Sequence, residues 1–277
     1  MQRVGFVGAG RMGRPMVRRL LEASYHVRVL ARSAEARRAL AAEGAGVVGE
    51  VTEAGDGAGA VVVCVRTDEQ VREVCLGRGL FDRMPAGSIV IIHTTASPRT
   101  VEAVAEAAAA RGIEVIDAPV SGGPHDIAIG RLTLFVGGDE SVVSRMQSIL
   151  DCYGDPVLHV GPVGAGQRVK LINNALFAAQ IGLLSEAVRL GGQLGVDEAQ
   201  LLRALPYASA ASRALSGARA RGSVATFAAA VGDHLDKDLR VVHTVAAELG
   251  GDLGALDPAL GALARALPPA TGAGQST

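Results

Sequence analysis

The sequence predicts an α/β protein. We expect a Rossmann-type, doubly wound and mostly parallel sheet, followed by an all-helical C-terminal domain that a long interdomain helix joins to it. Three observations predict this class. Short apolar runs alternate with helical stretches from residue 3 to about 160, a glycine-rich turn follows the first run, and the strand pattern stops after about residue 167.

The apolar runs define the predicted strands. Runs such as AVVVCV are apolar on both faces, which is typical of a sheet that helices cover on both sides. In chain order the runs are RVGFVG, HVRVLA, AVVVCV, SIVIIH, IEVIDA, LTLFVG and PVLHVG.

The domain organisation follows from where this pattern ends. We expect residues 1–162 to form the sheet domain and 163–267 the helical domain. The segment GPVGAGQ is the predicted boundary, and the long helix opens at Gly166 or Gln167. Residues 268–277 are small and polar, and we expect a disordered tail there.

Composition excludes several classes of partner. The 27 basic and 28 acidic residues of the 277-residue chain are mixed throughout and give a net charge of -1, so no basic field favours nucleic acid or an anionic membrane. The 3 cysteines form no CxxC pair, which disfavours a disulfide framework or a zinc site, and we predict no metal.

Targeting signals are also not expected. The first predicted strand begins at about Arg3, which leaves no room for a signal peptide. No apolar run approaches the roughly 18 residues that a membrane span needs. A cytoplasmic protein is therefore the expectation.

The segment VGFVGAGRMG has the spacing of a dinucleotide-binding turn. Gly8 permits the tight turn after the strand, Gly10 lets a pyrophosphate approach the backbone, and Gly13 lets helix and strand pack closely. With a helix starting near Arg11, Arg11 and Met12 offer backbone N–H groups at its positive end. The motif by itself is weak, since glycine turns that bind nothing share it.

The end of the second predicted strand bears on the choice of cofactor. An acidic residue there would hold an unmodified ribose, but the sequence has Arg32 and Ser33. An arginine pairs with a 2′-phosphate, so NADP is predicted over NAD. The alternative is a solvated arginine at a strand end.

Three further motifs extend the argument beyond cofactor binding. They are DAPVSGG at 117–123, GPVGAGQRVKLINN at 161–174 and DKDL at 236–239. With the glycine turn they make the chain resemble the β-hydroxyacid dehydrogenases, over roughly residues 3–250. The resemblance implies NAD(P)-linked oxidation of a 3-hydroxy acid or reduction of its semialdehyde, a substrate between the two domains, and a homodimer or tetramer.

The resemblance also implies site residues by motif position. It makes Lys170 the catalytic lysine, with Asn174 beside it on the substrate. It makes Ser121, Gly122 and Gly123 a cradle for a carboxylate. The positions that it places at the cofactor are Thr95, Lys237, Val65 and Arg66.

The long helix supports the lysine independently of the resemblance. Lys170 and Asn174 are four residues apart and share a helix face with Phe177 and Ile181, away from the polar stripe. A lysine that accepts a proton near neutral pH needs a pKa below the usual value of about 10.4, which partial burial would provide. The alternatives are a solvated lysine and, for Asn174, an amide bonded to a neighbouring helix.

The SGG segment follows a predicted strand end, where ligands bind in open α/β sheets. The hydroxyl of Ser121 and the backbone N–H groups of Gly122 and Gly123 can bind a carboxylate without a charged side chain. An ordinary glycine turn is the alternative. His125 follows closely and is either a substrate contact or a solvated histidine.

Two other functions were weighed. An imine reductase would share the architecture but usually replaces the catalytic lysine, and a non-catalytic NADP-binding module typically loses it. Because Lys170 is present beside a carboxylate cradle, the favoured reading is a dehydrogenase or reductase of a small 3-hydroxy acid.

Overall fold

The computed structural model describes residues 3–266. The chain divides into two compact units, Met1–Lys170 and Leu171–Thr277. The strands of the first unit are β1 Arg3–Val7, β2 His26–Leu30, β3 Gly46–Val48, β4 Ala60–Val63, β5 Ile89–Ile92, β6 Glu114–Asp117, β7 Val120–Ser121, β8 Leu132–Gly137 and β9 Gly154–Gly161.

Helices connect these strands on both sides of the sheet. They are α1 Gly13–Glu22, α2 Ala34–Ala42, α3 Val51–Gly55, α4 Asp68–Arg72, α5 Pro98–Ala109, α6 Pro124–Ala128 and α7 Glu140–Leu150. A π-helical turn, Glu73–Gly77, continues α4, and a short 3₁₀ turn, Leu80–Arg83, precedes β5.

The sheet of the first unit has the predicted doubly wound topology. Its strand order is β3-β2-β1-β4-β5-β6-β8-β7, with β9 on the free side of β8. The first six strands in this spatial order, β3-β2-β1-β4-β5-β6, are parallel to one another, whereas β8 runs antiparallel to β6 and β7. The chain first adds strands on one side of β1 and then crosses to β4, so the strand order reverses between β1 and β4.

Side chains alternate between two hydrophobic layers. In β4, Ala60 and Val62 face one layer, and Val61 and Val63 face the other; all four are fully buried. Strand β5 alternates in the same way. This two-sided burial explains why these strands read as continuous apolar runs.

The second unit is helical throughout its described part. Helix α8, Ala165–Gln193, begins in the first unit and continues into the second; it is followed by α9 Glu198–Ala204, α10 Arg213–Arg221, α11 Val224–Leu249 and α12 Leu256–Ala266. Small residues bring these helices close together. A Cβ on Gly182 would lie 2.0 Å from the carbonyl oxygen of Ala259.

The predicted fold class is confirmed, and all seven predicted strands are present. Strands β3 and β7 were not predicted, because runs of three and two residues are too short to show a period of two. Helix α8 begins at Ala165, just before the predicted start. The predicted domain boundaries stay a prediction, and the predicted tail at 268–277 lies outside the described residues.

Helix α8 bears on the expectation that no membrane span is present. Helix α8 is long and apolar enough to cross a membrane by length and composition, with a mean hydropathy of 1.3 in its most apolar window, of which 39% is buried. The sequence was judged by unbroken apolar runs, which the scattered polar residues of this helix interrupt. A single helix of this kind is weak support for a membrane span, because core helices of soluble proteins have the same length and composition.

Candidate active site

Five of the parallel strands end at one edge of the first unit's sheet, and the loops after them carry the predicted site residues. The glycine turn follows β1, the Arg32–Ser33 pair follows β2, Val65 and Arg66 follow β4, and Thr95 follows β5. Strand β6 leads into Ser121. In open α/β sheets ligands bind at this edge. The structure therefore brings these positions to the edge where a ligand is expected.

The glycine turn after β1 leaves room for a ligand. Gly8 has a φ of +103°, and a Cβ there would lie 2.3 Å from the carbonyl oxygen of Cys64. A Cβ on Gly13 would lie 2.2 Å from the carbonyl oxygen of Gly8, so α1 and β1 pack too closely for a side chain. A Cβ on Gly10 would meet no heavy atom within 4 Å. The residues present thus fit a dinucleotide, whose pyrophosphate would occupy the space beside Gly10.

The start of α1 differs slightly from the prediction. The helix begins at Gly13 rather than near Arg11, with Met12 as its N-cap. The bond from the N–H of Arg14 to the C=O of Gly10, at 2.9 Å, closes a turn around Arg11 and Met12, and Pro15 has no N–H with which to continue that turn as a helix. N–H groups at this position point out of the helix N-terminus, where the helix dipole favours an anion.

The end of β2 carries basic side chains. Arg32 is exposed, and the hydroxyl oxygen of Ser33 accepts the N–H of Ala36 at 3.1 Å, which caps α2. Arg37 donates from Nε to the C=O of Ala31 at 2.9 Å. Its guanidinium therefore lies against the strand end that precedes Arg32. No motif of the sequence marks Arg37.

The ends of β4 and β5 are joined through Thr94. Its hydroxyl oxygen accepts the N–H of Val65 and donates to the C=O of Val65, both at 3.0 Å. The N–H of Arg66 donates to Oε1 of Gln70 at 2.9 Å. Thr95 comes next in the chain and is partly buried. The backbone around the predicted cofactor contacts is thus held by side-chain hydrogen bonds.

The predicted carboxylate cradle is partly engaged by the protein itself. Ser121 is partly buried at the end of β7, and Gly122 has a φ of +132°, which favours glycine. The N–H of Gly123 donates to Oδ2 of Asp126 at 2.7 Å. Two side chains pack against Gly122, since a Cβ there would lie 2.8 Å from Oδ2 of Asp126 and 2.9 Å from Cδ1 of Leu132. The hydroxyl of Ser121 is the side-chain group of this segment that remains for a ligand.

Asp117, the first residue of DAPVSGG, is a buried carboxylate at the end of β6. Its Oδ1 accepts the N–H of Gly164 and its Oδ2 accepts the N–H of Gln167, each at 2.7 Å. Burial raises the pKa of Asp117 to about 6, although the two N–H donors act to lower it. The carboxyl group ties the end of β6 to the first turn of α8.

Gln167 adds a second tie in that turn. It is fully buried; its Oε1 accepts the N–H of Ala96 at 3.0 Å, and its Nε2 donates to the C=O of Thr94 at 2.9 Å. On the outer side of the same turn, Arg168 forms an exposed ion pair with Glu102 at 2.6 Å. The start of α8 is therefore attached to the strand edge at several points.

Lys170 lies three residues after Gln167 on α8 and is partly buried. Residues three apart on a helix share a face. Lys170 therefore lies on the same face of α8 as Gln167, whose side chain contacts the loop after β5. This partial burial differs from that of an ordinary solvated helical lysine.

In the second unit, Asn174 and Lys237 share one partner. Asn174 is buried and donates from Nδ2 to Oδ2 of Asp238 at 2.7 Å, while its Oδ1 accepts from Nδ2 of Asn173 at 3.1 Å. Nζ of Lys237 lies 3.4 Å from Oδ1 of Asp238. The contact to a neighbouring helix that was weighed for Asn174 is thus present, and it leaves one amide N–H and one oxygen lone pair for another partner.

Two histidines near the edge differ in environment. His125 is exposed at the start of α6. His93 is buried between the C=O of Ala118 at 2.6 Å and the hydroxyl of Tyr153 at 2.9 Å, and burial lowers its pKa to about 4. His93 is therefore a structural residue. Among the side chains that the structure describes, no His, Cys, Asp and Glu residues cluster as a metal site would require.

Sequence reasoning missed Asp117, Gln167 and Asp238, although each lies inside a motif that was quoted. The available signal was a charged or amide residue at the end of an apolar run or inside a glycine-rich linker, where burial demands a hydrogen-bonding partner. The partners themselves are distant in sequence, which is why the pattern did not reveal them.

A parallel sheet whose strand order reverses beside a glycine turn, followed by a helical unit, defines a dinucleotide-binding protein of the Rossmann class. Comparisons with known proteins give the family. Residues 3–161 match the NAD binding domain of 6-phosphogluconate dehydrogenase, and residues 164–275 match the NAD-binding domain of NADP-dependent 3-hydroxyisobutyrate dehydrogenase.

The individual relatives are dehydrogenases as well. A 3-hydroxyisobutyrate dehydrogenase of Pseudomonas aeruginosa is 34% identical over 217 residues, which cover 78% of this chain and 73% of the relative. An NAD-dependent L-serine dehydrogenase of the same organism is 33% identical, covering 78% and 72%. The structure of Mycobacterium tuberculosis 3-hydroxyisobutyrate dehydrogenase with L-serine superimposes with a TM-score of 0.85 at 28% identity, covering 96% and 93%.

The chain belongs to the 3-hydroxyisobutyrate dehydrogenase-like β-hydroxyacid dehydrogenase family. It is an NAD(P)-dependent oxidoreductase that acts on the CH–OH group of hydroxy acids. The predicted family and enzyme class are therefore confirmed. Because the relatives include bacterial and mitochondrial proteins, the cytoplasmic location stays a prediction.

Proposed function

We propose that this protein interconverts a small 3-hydroxy acid and its semialdehyde, uses NADP in preference to NAD, and has Lys170 as its general acid and base. The observation that carries the proposal is the attachment of the first turn of α8 to the strand edge through Asp117 and Gln167. Lys170 follows one helical turn later, on a helix whose start is rigidly placed beside the predicted cofactor contacts.

The role of Lys170 is to move one proton at the substrate oxygen. In oxidation the neutral amine takes the hydroxyl proton, and in reduction the ammonium donates a proton to the developing alkoxide. A nicotinamide cofactor, when bound by these residues, would take up the hydride in oxidation and supply it in reduction. Asn174, through the amide groups that Asp238 and Asn173 leave available, holds the substrate oxygen in the reactive orientation.

We assign the substrate carboxylate to the loop after β6. The hydroxyl of Ser121 donates to one carboxylate oxygen, and the backbone N–H of Gly122 is assigned as a second donor. Gly123 contributes space rather than its N–H, which is bonded to Asp126; a Cβ there would have only Asp126 Oδ2 near it, at 4.0 Å. This cradle favours a small carboxylate over an uncharged imine.

The preference for NADP rests on the end of β2. Arg32 is exposed and positively charged, the Ser33 hydroxyl caps α2, and no acidic residue stands where it would bond the ribose and repel a 2′-phosphate. The pyrophosphate is assigned to Gly8, Gly10, Arg11, Met12 and Gly13. The remaining cofactor contacts are assigned to Val65, Arg66, Thr95 and, from the second unit, Lys237.

The test compares wild type with Lys170→Ala and, as a matched control, Arg168→Ala, which removes an exposed ion pair two residues away. NADPH and NADH are titrated by cofactor fluorescence, and NADPH oxidation is assayed with a panel of semialdehydes and cyclic imines. We expect tighter binding of NADPH than of NADH. We also expect semialdehyde reduction to fall by about 10³-fold in Lys170→Ala only, with NADPH binding retained.

Other outcomes would contradict the proposal in different ways. Turnover of imines alone would indicate an imine reductase. Cofactor binding without turnover of any substrate would indicate a non-catalytic NADP-binding module. Equal rates of semialdehyde reduction in Lys170→Ala and Arg168→Ala would show that Lys170 does not transfer the proton. Equal affinities for NADH and NADPH would contradict the role assigned to Arg32 and Ser33.

A further inference from the structure

The side chain of Gln167 spans the two peptide groups that flank one residue. Its Nε2 donates to the C=O of Thr94 and its Oε1 accepts the N–H of Ala96, at 2.9 and 3.0 Å, so the amide bridges the backbone on both sides of Thr95. Gln167 has no exposed surface. An amide that is buried and bonded at both ends has a defined orientation, because any rotation would leave a buried polar group without a partner.

The main chain of Gln167 is held independently of its side chain. Its N–H donates to Oδ2 of Asp117 at 2.7 Å, so Gln167 is fixed to the end of β6 while its amide is fixed to the loop after β5. Thr94 in turn is bonded through its hydroxyl to the backbone of Val65, at the end of β4. One residue of α8 therefore joins the ends of three neighbouring strands.

We propose that Gln167 is a positioning residue that sets the place of Thr95 against the cofactor and, through the helical turn that it shares with Lys170, the place of the catalytic lysine. This inference rests on the proposed roles of Thr95 and Lys170. Gln167 itself touches neither substrate nor cofactor. It acts by making the loop after β5 and the first turn of α8 one rigid piece, so that cofactor and proton donor keep a constant geometry.

A purely structural role makes a different prediction. If Gln167 only stabilised the fold, its loss would lower the unfolding temperature, and its effect on NADPH binding would be independent of the side chain at position 95. A positioning role requires the two residues to be coupled, because the contribution of Thr95 to binding depends on the bridge.

The experiment is a double-mutant cycle in NADPH affinity with Gln167→Met, which keeps the length and removes both hydrogen bonds, and Thr95→Val, which removes the hydroxyl. We expect each single change to weaken NADPH binding by about tenfold, and the double change to be little worse than either one. Glu102→Gln breaks the exposed ion pair at the same turn and is the matched control, with binding expected within about twofold of wild type.

Gln167→Glu is the second variant, since it keeps an acceptor for the N–H of Ala96 and puts a carboxylate oxygen in place of the donor to Thr94. Circular dichroism and thermal unfolding establish that each variant is folded. Additive effects in the cycle, or unchanged NADPH binding in folded Gln167→Met, overturn the proposal. If neither Gln167 variant folds, Gln167 is a structural residue and the proposal is also wrong.

The readout separates this inference from the proposed function. NADPH affinity needs no turnover, so the cycle is decisive even if no hydroxy acid proves to be a substrate. Where turnover is measured, the loss caused by Gln167→Met at saturating NADPH should disappear in a Lys170→Ala background. A loss that persists there would show that Gln167 does not act through the lysine.

Discussion

At the scale of single residues, the edge of the sheet is organised by buried polar side chains. Asp117, Gln167, Thr94 and His93 have almost no exposed surface, and each is bonded to a backbone group of a distant segment. Burying such groups is costly unless every donor and acceptor is paired. Their pairing therefore selects one arrangement of the loops around the candidate site.

Asp117 makes stability depend on pH. Its pKa is about 6 in the folded protein and about 3.9 in an unfolded chain, so its contribution to stability is fully present below about pH 4 and is lost as the pH rises through 6. Relative to Asp117→Asn, the unfolding free energy of the wild type should fall by about 3 kcal/mol across this interval. Urea unfolding of both proteins, followed by circular dichroism, measures the difference.

The comparison with the asparagine variant cancels other carboxyl groups that titrate in the same interval. Asparagine keeps the size of the side chain but presents an NH₂ group to one of the two backbone N–H donors, so the variant is expected to be less stable at every pH. A difference between the two proteins that does not change with pH would show that folding does not raise the pKa of Asp117.

At the scale of elements, the junction between β1 and α1 separates packing from binding. A Cβ on Gly13 would overlap the carbonyl oxygen of Gly8, whereas a Cβ on Gly10 meets no protein atom within 4 Å. Gly10→Ala should therefore keep the stability of the wild type and weaken NADPH binding by about tenfold or more. Gly13→Ala should lower the unfolding free energy by about 1–3 kcal/mol.

Each of these two variants is the control for the other, because both add a single methyl group to the same turn. Thermal unfolding without cofactor and fluorescence titration with NADPH are measured on both. Wild-type affinity in Gly10→Ala would mean that the pyrophosphate does not approach this part of the backbone.

At the scale of the whole molecule, helix α8 presents an exposed apolar stripe in the second unit. The exposed fractions are 65% for Ile172, 49% for Leu176, 58% for Leu183, 50% for Leu190 and 71% for Leu194. The stripe is symmetric about Leu183: Leu176 and Leu190 are equally spaced from it, and so are the two outer residues. Exposed apolar patches of this kind mark interaction sites, and a self-complementary patch suits a two-fold axis.

If the chain forms the homodimer that the family resemblance implies, this stripe is predicted to pair with its copy. Leu183→Glu places a charge at the proposed axis and should convert the dimer to a monomer in size-exclusion chromatography with light scattering. Leu76→Glu changes a leucine of the first unit that is 42% exposed and should leave the dimer intact. A wild-type monomer, or a dimer that survives Leu183→Glu, would contradict this prediction.

Much of the fold was predictable because its signals are local. The seven longer strands are visible in the sequence as apolar runs, and the glycine turn follows the first of them. Strands β3 and β7 are held by their neighbours and carry no pattern of their own. The high mean hydropathy of α8 is visible only as an average over a window, because polar residues interrupt its apolar runs.

The candidate site was predictable by motif and less so by hydrogen bonding. Ser121, Lys170 and Asn174 were predicted as site residues because they lie in recognisable segments. The bond from Gly123 to Asp126 and the bond from Asn174 to Asp238 were not foreseen, although each changes which atoms are available to a ligand. The second of these bonds joins residues 64 positions apart, and sequence spacing says nothing about such pairs.

By itself, the sequence determined the class of fold and the order of the strands along the chain, and it predicted which residues form the candidate site, because periodicity, glycine spacing and motif identity are properties of short segments. Only the tertiary structure decided that Asp117 and Gln167 hold the start of α8, which groups of the cradle are already bonded, and which leucines stay exposed. The physical reason is that burial and hydrogen-bond pairing are settled between segments far apart in the chain, when the sheet and helices pack.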